Sequence, residues 1–453
     1  MEHKTFAKGI HPEYHKELAA SKKIEKAALP KTVIIPLVQH AGAPCAPLVK
    51  KGDVVVEGQK IGDVSAFVSA PVHASISGKV KDIELAEHPA GVRGMAIVIE
   101  GDGSVKDWGG PQSPVDPSTL TPDAIREAIR EAGIVGMGGA GFPTSVKLAP
   151  PKGRPIDTVL LNGCECEPYL TADHRIMVEQ ADKVVWGLRC IMRAIGAGNG
   201  LIGIEENKPD AIEAVKKAVG SSMNIKTVIL EAKYPQGAEK MLIKAALNRK
   251  VPIGKLPLDA GVVVNNVGTA VAVYEAINLG KPLIERVVTI SGEAVGEPRN
   301  LMVRVGTTFE DVLAQCGSIK GKDVLVLNGG PMMGIAQSTL NVPVIKGTSG
   351  ITALSVKDAR PLRYSPCIKC AACVEACPMS LMPYRLGEYG KAMRLDEFGA
   401  WAGMSCIECG CCSYVCPAKR PLVQWIRIGK LKARQQAAKA VSLRQMTENT
   451  KGT

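Results

Sequence analysis

Two runs of cysteines constrain this chain more than anything else in it. The first is Cys367-Ile-Lys-Cys370-Ala-Ala-Cys373-Val-Glu-Ala-Cys377-Pro378, and the second is Cys406-Ile-Glu-Cys409-Gly-Cys411-Cys412-Ser-Tyr-Val-Cys416-Pro417. Both read C-x2-C-x2-C-x3-C-P. In that spacing three thiolates hold three corners of one iron–sulfur cube, and the fourth, about one helical turn on, reaches the other cube. The expected ligand sets are Cys367, Cys370, Cys373 and Cys416 for one [4Fe–4S] cluster, and Cys406, Cys409, Cys412 and Cys377 for the second. Thiolates also suit zinc, but a zinc site closes on four ligands in two close pairs and has no use for the x3-C-P step. Cys411 fits neither register.

The six other members of the 14 cysteines, Cys45, Cys164, Cys166, Cys190, Cys316 and Cys411, form no disulfide framework, which points to a reducing compartment. A length of 453 residues implies about three domains. A formal charge of +12 suits an acidic partner or an anionic surface, while an aromatic content of only 4% argues against base stacking and so against nucleic acid. Met-Glu-His-Lys-Thr at the start carries no apolar signal core, and no stretch approaches the ~18 apolar residues of a membrane span. Any attachment to a membrane is expected to be peripheral.

Residues 1–30 read as an irregular arm. Between 31 and 101 the pattern is short strands and turns, at Thr32–Leu37, Gly52–Val56, Gly58–Gly62 and Ile76–Val80. The phrases Val49-Lys-Lys-Gly-Asp-Val-Val-Val-Glu-Gly-Gln-Lys-Ile-Gly and Ala70-Pro-Val…Ser77-Gly-Lys-Val resemble lipoyl and biotinyl domains. Those carriers present a lysine on a hairpin between their halves. Here that place is Ser65-Ala-Phe-Val-Ser-Ala, without lysine. A barrel-sandwich hybrid used for packing or docking is expected at 31–101, followed by a Gly-, Pro- and Ser-rich linker.

Thr121-Pro-Asp starts a helix that ends at Gly133. Gly136-Met-Gly138-Gly139-Ala-Gly141-Phe142-Pro-Thr144-Ser-Val-Lys147 then contains G-x-G-x-x-G, but a helix precedes it where a dinucleotide fingerprint needs a strand. Read alone, it is a flexible connection. Strands (Ile156–Leu161, Leu201–Ile204, Thr227–Leu230, Val262–Val264) alternate with helices (Val184–Ile195, Ala211–Val219, Ala238–Leu247, Ala270–Ile277), so 121–280 is expected to be a parallel α/β domain. Ligands of such sheets sit beyond the strands' carboxyl ends. Two of those ends carry Asn162-Gly-Cys-Glu165-Cys-Glu167-Pro and Asn265-Asn266-Val-Gly-Thr269. At 281–355, strands at Val287–Ile290, Gly292–Val295 and Leu301–Val305 and a capped helix from Thr308 suggest a β-grasp module, with a further strand at Val324–Asn328. Leu381, Tyr384, Leu386, Met393 and Phe398 fall at helical spacing, so the two-cluster domain, 360–430, is expected to be all-helical and ferredoxin-like. A basic helix with Arg427, Lys430, Lys432 and Arg434 follows, whose plainest reading is a solvated face.

Four of these motifs resemble, in order, those of the flavin-carrying, NADH-oxidising subunit of respiratory complex I. They are Gly136–Thr144 (its glycine loop), Asn162–Pro168 (its acidic loop), Gly237-Ala-Glu239 (its glutamate-bearing helix start) and Asn265–Thr269 (its paired-asparagine loop). That subunit ends in one cluster and lacks the barrel. Barrel, flavin-type domain, β-grasp module and twin clusters, in this order and over nearly the whole chain, resemble the C subunits of Rnf complexes. Those complexes couple electron flow between ferredoxin and NAD to Na+ or H+ movement across a membrane.

The resemblance implies a multidomain α/β oxidoreductase subunit with non-covalent FMN, two [4Fe–4S] clusters and NAD(H) as substrate. Its partners would be the other Rnf subunits, and its place the cytoplasmic face of the membrane. It implies that Gly136, Gly138, Gly139, Gly141 and Phe142 line FMN, with Lys147, Asn162, Glu165, Asn265, Asn266 and Thr269 binding it. Glu167 and Glu239 would serve the hydride step at the flavin edge and nicotinamide ribose. Read without the family, the three glutamates are as well explained as solvated or salt-bridged carboxylates. Gly268, Ala238 and the Leu148-Ala-Pro stretch depart from the complex I pattern, which bears on the nucleotide site most. Two alternatives stand beside this reading: the diaphorase subunit of a soluble hydrogenase or formate dehydrogenase, and a docking subunit without flavin.

Overall fold

The apolar runs between 158 and 266 build a four-stranded parallel sheet in the order Ile225–Leu230, Asn199–Glu205, Thr158–Gly163, Val262–Asn266. These strands lack polar alternation because helices cover both faces. Val159, Leu161, Ile202 and Val263 pack with the helices Ala181–Ile195 and Val267–Leu279, and Leu160, Val262 and Val264 pack with Glu239–Leu247. From Thr158–Gly163 the chain steps outward through two strands and then crosses back to Val262–Asn266 on the other side. The strand order therefore reverses between Thr158–Gly163 and Val262–Asn266, and a crevice opens at their carboxyl ends. The structure, a computed structural model, describes residues 4–110, 113–151, 153–356 and 363–451. The boundary expected at 360 lies outside them.

The barrel domain forms two small sheets, one of Thr32–Pro36, Val92–Gly101, Gly78–His88 and Val54–Val55, the other of Ala46–Pro47, Lys60–Asp63 and Val72–His73. They close over Val33, Ile35, Ile61, Ile76, Ile97 and Ile99. The lysine-free hairpin leaves Phe67 exposed. The strand expected to stop near Val80 runs to His88 and pairs with Val92–Gly101, reaching the β-grasp region, where Asn328 Nδ2 donates to the Pro89 carbonyl at 3.3 Å.

Two further expectations need correction, and one helix carried no expectation. The first thirty residues are not an irregular arm. Lys4 bridges to Leu230, Ile10 bridges to Tyr234, and Ile24–Lys26 is the edge strand of a six-stranded sheet with Arg299–Arg304, Glu285–Ser291, Gly350–Ser355, Val324–Asn328 and Ile335–Ala336. Sequence patterning missed this because these are single bridges and a three-residue strand, whose stability comes from partners far along the chain. Gly292–Val295 is a turn, not a strand: Gly292 has φ +115°, and a Cβ there would run into the Ala353 backbone. The helix Ala172–Glu179, which starts Ala-Asp-His-Arg, was not anticipated at all.

Among the described residues of 363–451 there is no strand. Short helices (Ala372–Glu375, Pro383–Lys391, Leu395–Ala400, Cys411–Tyr414) pack under Leu422–Lys451 around Leu386, Phe398 and Ile426. This is the helical two-cluster scaffold expected from the spacer. No helix of the described residues is long and apolar enough to cross a membrane.

Candidate functional site

At the reversal point the glycine loop lies on the start of Val267–Leu279. Met137 N–H donates to Thr269 Oγ1 at 3.0 Å, and Gly136 N–H closes the loop on the Phe142 carbonyl at 2.8 Å. The barrel supports the loop from behind: Ala41 N–H donates to the Gly141 carbonyl at 3.1 Å. Gly138 has φ +73°, whereas a Cβ on Gly139 would meet nothing within 4 Å. The loop thus offers open backbone beside a helix N-terminus, an arrangement that receives anions and flat rings.

Asn162 and Asn266 are register partners on the two strands that part here. Asn162 Nδ2 donates to the Gly237 carbonyl at 2.8 Å, and Asn266 Oδ1 caps the helix by accepting from Gly268 N–H at 2.8 Å. Asn265 is 3% exposed, and neither its Oδ1 nor its Nδ2 has a partner. A buried amide left unpaired costs about 1–3 kcal/mol, so this position calls for a polar ligand. Open glycine backbone, a helix N-terminus and an orphaned amide fit FMN.

The charged residues divide. Lys147 Nζ donates to the Val264 carbonyl at 2.9 Å and stands 3.7 Å from Glu239, which starts Glu239–Leu247 and is partly exposed. Glu165, at φ +45°, accepts from Asp173 and His174 N–H groups at 2.9 and 3.0 Å and so caps Ala172–Glu179. Glu167 Oε1 accepts from Met332 N–H at 2.7 Å and Met333 N–H at 3.0 Å. Burial raises the Glu167 carboxyl above its ordinary range. The structure brings Glu239 and Lys147 together and engages Glu165 and Glu167 in backbone contacts.

Cys377, Cys406, Cys409 and Cys412, together with Cys411, line one cavity, walled by Leu381, Leu386, Val423 and Ile426. Cys367, Cys370, Cys373 and Cys416 line a second, bordered by Lys369, Arg385, Arg394 and Arg420. No group of three His, Cys, Asp or Glu among the described residues is gathered tightly enough for a single metal ion. Thiols spread around a cavity are what a four-iron cube needs and a zinc site does not. The first cavity adjoins the flavin-type domain. Tyr234 Oη donates to the Cys409 carbonyl at 2.7 Å, and Cys166, Tyr234, Cys409 and Cys411 share one buried apolar cluster with Ile10. Cys370 of the second cavity is exposed.

Several residues of this region escaped sequence reasoning. Gln236 is fully buried with its amide unpaired on both atoms, one residue before the Gly237-Ala-Glu239 motif that should have drawn attention to it. Lys16 donates to the Glu165, Glu167 and Leu170 carbonyls at 2.7, 3.0 and 2.5 Å, pinning the acidic loop from the arm. Burial lowers its amine below the usual lysine range. No local signal marks a lysine whose partners lie so far along the chain.

Four family models match in order: the RnfC barrel sandwich hybrid domain at 4–104, the Nuo51 FMN-binding domain at 129–275, the SLBB domain at 287–336 and the 4Fe-4S dicluster domain at 366–420. The chain is 47% identical over 436 residues to the C subunit of the Na+-translocating ferredoxin:NAD+ oxidoreductase complex of Acetobacterium woodii, covering 95% of this chain and 97% of that one. It is 48% identical over 436 residues to the C subunit of the proton-translocating ferredoxin:NAD+ oxidoreductase complex of Clostridium ljungdahlii, covering 96% and 95%. A solved NAD+-reducing [NiFe]-hydrogenase in the H2-reduced state aligns with TM-score 0.50 and 18% identity over 74% of this chain and 70% of that one, a likeness of fold alone.

Proposed function

Because the chain belongs to the family of C subunits of ion-translocating ferredoxin:NAD+ oxidoreductase complexes, we propose that it is the NAD(H)-reactive electron-transfer subunit of such a complex, holding FMN and two [4Fe–4S] clusters. When bound, FMN supplies the conversion between the electron pair of a hydride and the single electrons a four-iron cluster takes. The chain's own residues hold and orient. Gly136, Gly138, Gly139 and Gly141 bring backbone N–H groups to the cofactor, Asn265 offers it a buried amide, and the helix start at Val267 favours its negative charge. Lys147 and Glu239 are the charged pair placed to meet the dinucleotide.

The thiols support an order. Cys377, Cys406, Cys409 and Cys412 would hold the inner cluster, since Cys409 is hydrogen-bonded to Tyr234 of the flavin-type domain and shares a buried cluster with its Cys166. Cys367, Cys370, Cys373 and Cys416 would hold the outer one, whose exposed, basic rim faces the next carrier. The part played in ion movement is to deliver or accept electrons. Two relatives of almost equal identity are named for different ions, which supports leaving the choice of ion to other subunits. The chain is read as held by protein contacts at the cytoplasmic face of the membrane, where NAD(H) is available.

The observation that carries this reading is the open glycine loop seated on the start of Val267–Leu279, at the reversal point of the sheet where the buried Asn265 amide has no partner. The test is anaerobic purification followed by flavin and iron analysis and NADH titration watched by EPR. FMN with about eight irons per chain, and clusters reduced by NADH, are expected. A full iron complement without FMN, and clusters that NADH leaves oxidised, would make the chain a docking subunit.

A further inference from the structure

Beneath the glycine loop lies a second layer that no motif announced. Asn266 is held from two sides: its Oδ1 accepts from Gly268 N–H at 2.8 Å, and its Nδ2 donates to Asp173 Oδ2 at 2.6 Å. Those bonds decide which end of the amide points where and leave one N–H of the amino group to spare. A Cβ added to Gly138 would stand 3.0 Å from that same Nδ2, so the amino group sits directly against the loop.

Asp173 lies in the first turn of Ala172–Glu179 and keeps a little exposed surface, but protein crowds its carboxyl on all sides. The charged groups that face it are Glu165 from the acidic loop, Arg286 from the strand Glu285–Ser291 and Lys16 from the N-terminal arm, with the Cys164 thiol beside them. Arg286 gives its hydrogen bonds to the Val287 and Lys346 carbonyls, and Lys16 gives its own to three others. Neither cation forms an ion pair with Asp173 among the described residues. Burial first, and then the Glu165 carboxylate, push the Asp173 carboxyl up to about 7.

We infer that Asp173 is a positioning residue of the flavin crevice: it holds the Asn266 amide with its amino group against the glycine loop and sets a negative charge behind that group. The inference rests on the crevice being the FMN site. When the carboxyl is ionised, its bond to Asn266 is charge-assisted and the crevice is less favourable to electrons. When it carries a proton, both effects weaken. Electrons that NADH delivers to the crevice therefore draw a proton from water onto Asp173, and their departure releases it.

Two variants separate the roles. Asp173→Asn keeps the shape and an acceptor for Asn266 but removes the charge. FMN should stay bound within about twofold, while the flavin midpoint potential, followed by spectroelectrochemistry, should rise above wild type at pH 8.5 and coincide with it at pH 5.5. Asp173→Ala removes acceptor and charge together and should weaken FMN about tenfold in a fluorescence titration, the scale of one lost charge-assisted bond. Parallel potential–pH curves for wild type and Asp173→Asn, both holding FMN, would overturn the inference, as would wild-type FMN affinity in Asp173→Ala. A wild-type chain that binds no FMN would overturn the reading of the crevice instead. Should Asp173→Ala not fold, the near-isosteric Asp173→Asn still decides through its potentials.

Discussion

In the cluster domain every proposed ligand falls within one stretch from Cys367 to Cys416, Cys373 and Cys412 on short helices and the other six in the connections beside them. The proposed flavin crevice draws on Gly136, Asn162, Gly237 and Asn265, which meet because four parallel strands end together and the chain reverses between two of them. The first site is a set of strong ligands that carry their own binding energy, so the scaffold around it has only small cores built on residues such as Leu386, Phe398 and Trp425. The second has no strong ligand. As proposed, it works through open backbone, the unpaired Asn265 amide and a helix end, and depends on packing that extends to the barrel behind the glycine loop. Losing one residue should therefore mean something different in each region.

The largest effect is expected in the cluster domain. Cys377→Ser should drop the iron content from about eight to about four per chain. The EPR signal lost should be that of the cluster built around Cys406, not that of its sequence neighbours Cys370 and Cys373. Loss of the other signal would mean that each run holds its own cube, and the cavities lined by the two thiol sets would need another explanation.

In the flavin-type domain a substitution can remove the cofactor and spare the fold. Gly139 has open space where a side chain would go, so Gly139→Val should melt at the wild-type temperature without FMN and yet bind no FMN. A variant that keeps full flavin content would move the flavin off the loop. A smaller change is expected of Glu239→Gln: the KM for NADH with ferricyanide should rise roughly fivefold, about 1 kcal/mol for a charged hydrogen bond at a partly exposed position. Flavin and iron should be unchanged.

The smallest effect tests the contact between the two regions. Glu167 is bonded to Met332 and Met333, and Gly410 of the cluster domain packs on Met332. Its carboxyl is raised on folding, so the folded protein holds that proton to higher pH than the unfolded chain does. The stability this gives is complete below the unfolded carboxyl range and declines as pH rises through the folded value. Glu167→Gln cannot lose a proton, so its melting temperature should gain on wild type as pH climbs above ~4.5, while the KM for NADH stays within about twofold. A raised KM with a pH-independent melting difference would return Glu167 to the nucleotide site.

The spacing of the cysteines by itself determined the kind of cofactor and supports the proposed pairing of thiols across the two runs, because ligand geometry is written into residue intervals of a turn or less; the helical spacing of Leu381, Tyr384, Leu386, Met393 and Phe398 determined the helical scaffold. Apolar runs likewise determined the parallel sheet, and thereby that its ligand belongs beyond Asn162 and Asn265. Only the tertiary structure decided the rest. Glu165, Glu167 and Glu239 read alike as acidic residues in glycine-flanked motifs. One caps a helix that patterning did not reveal, one holds a loop more than a hundred residues away, and one pairs with Lys147. Lys16 and Asp173 carried no signal because their roles are hydrogen bonds and burial imposed by distant segments. Those energies exist once the chain has folded and cannot be read from neighbours in sequence.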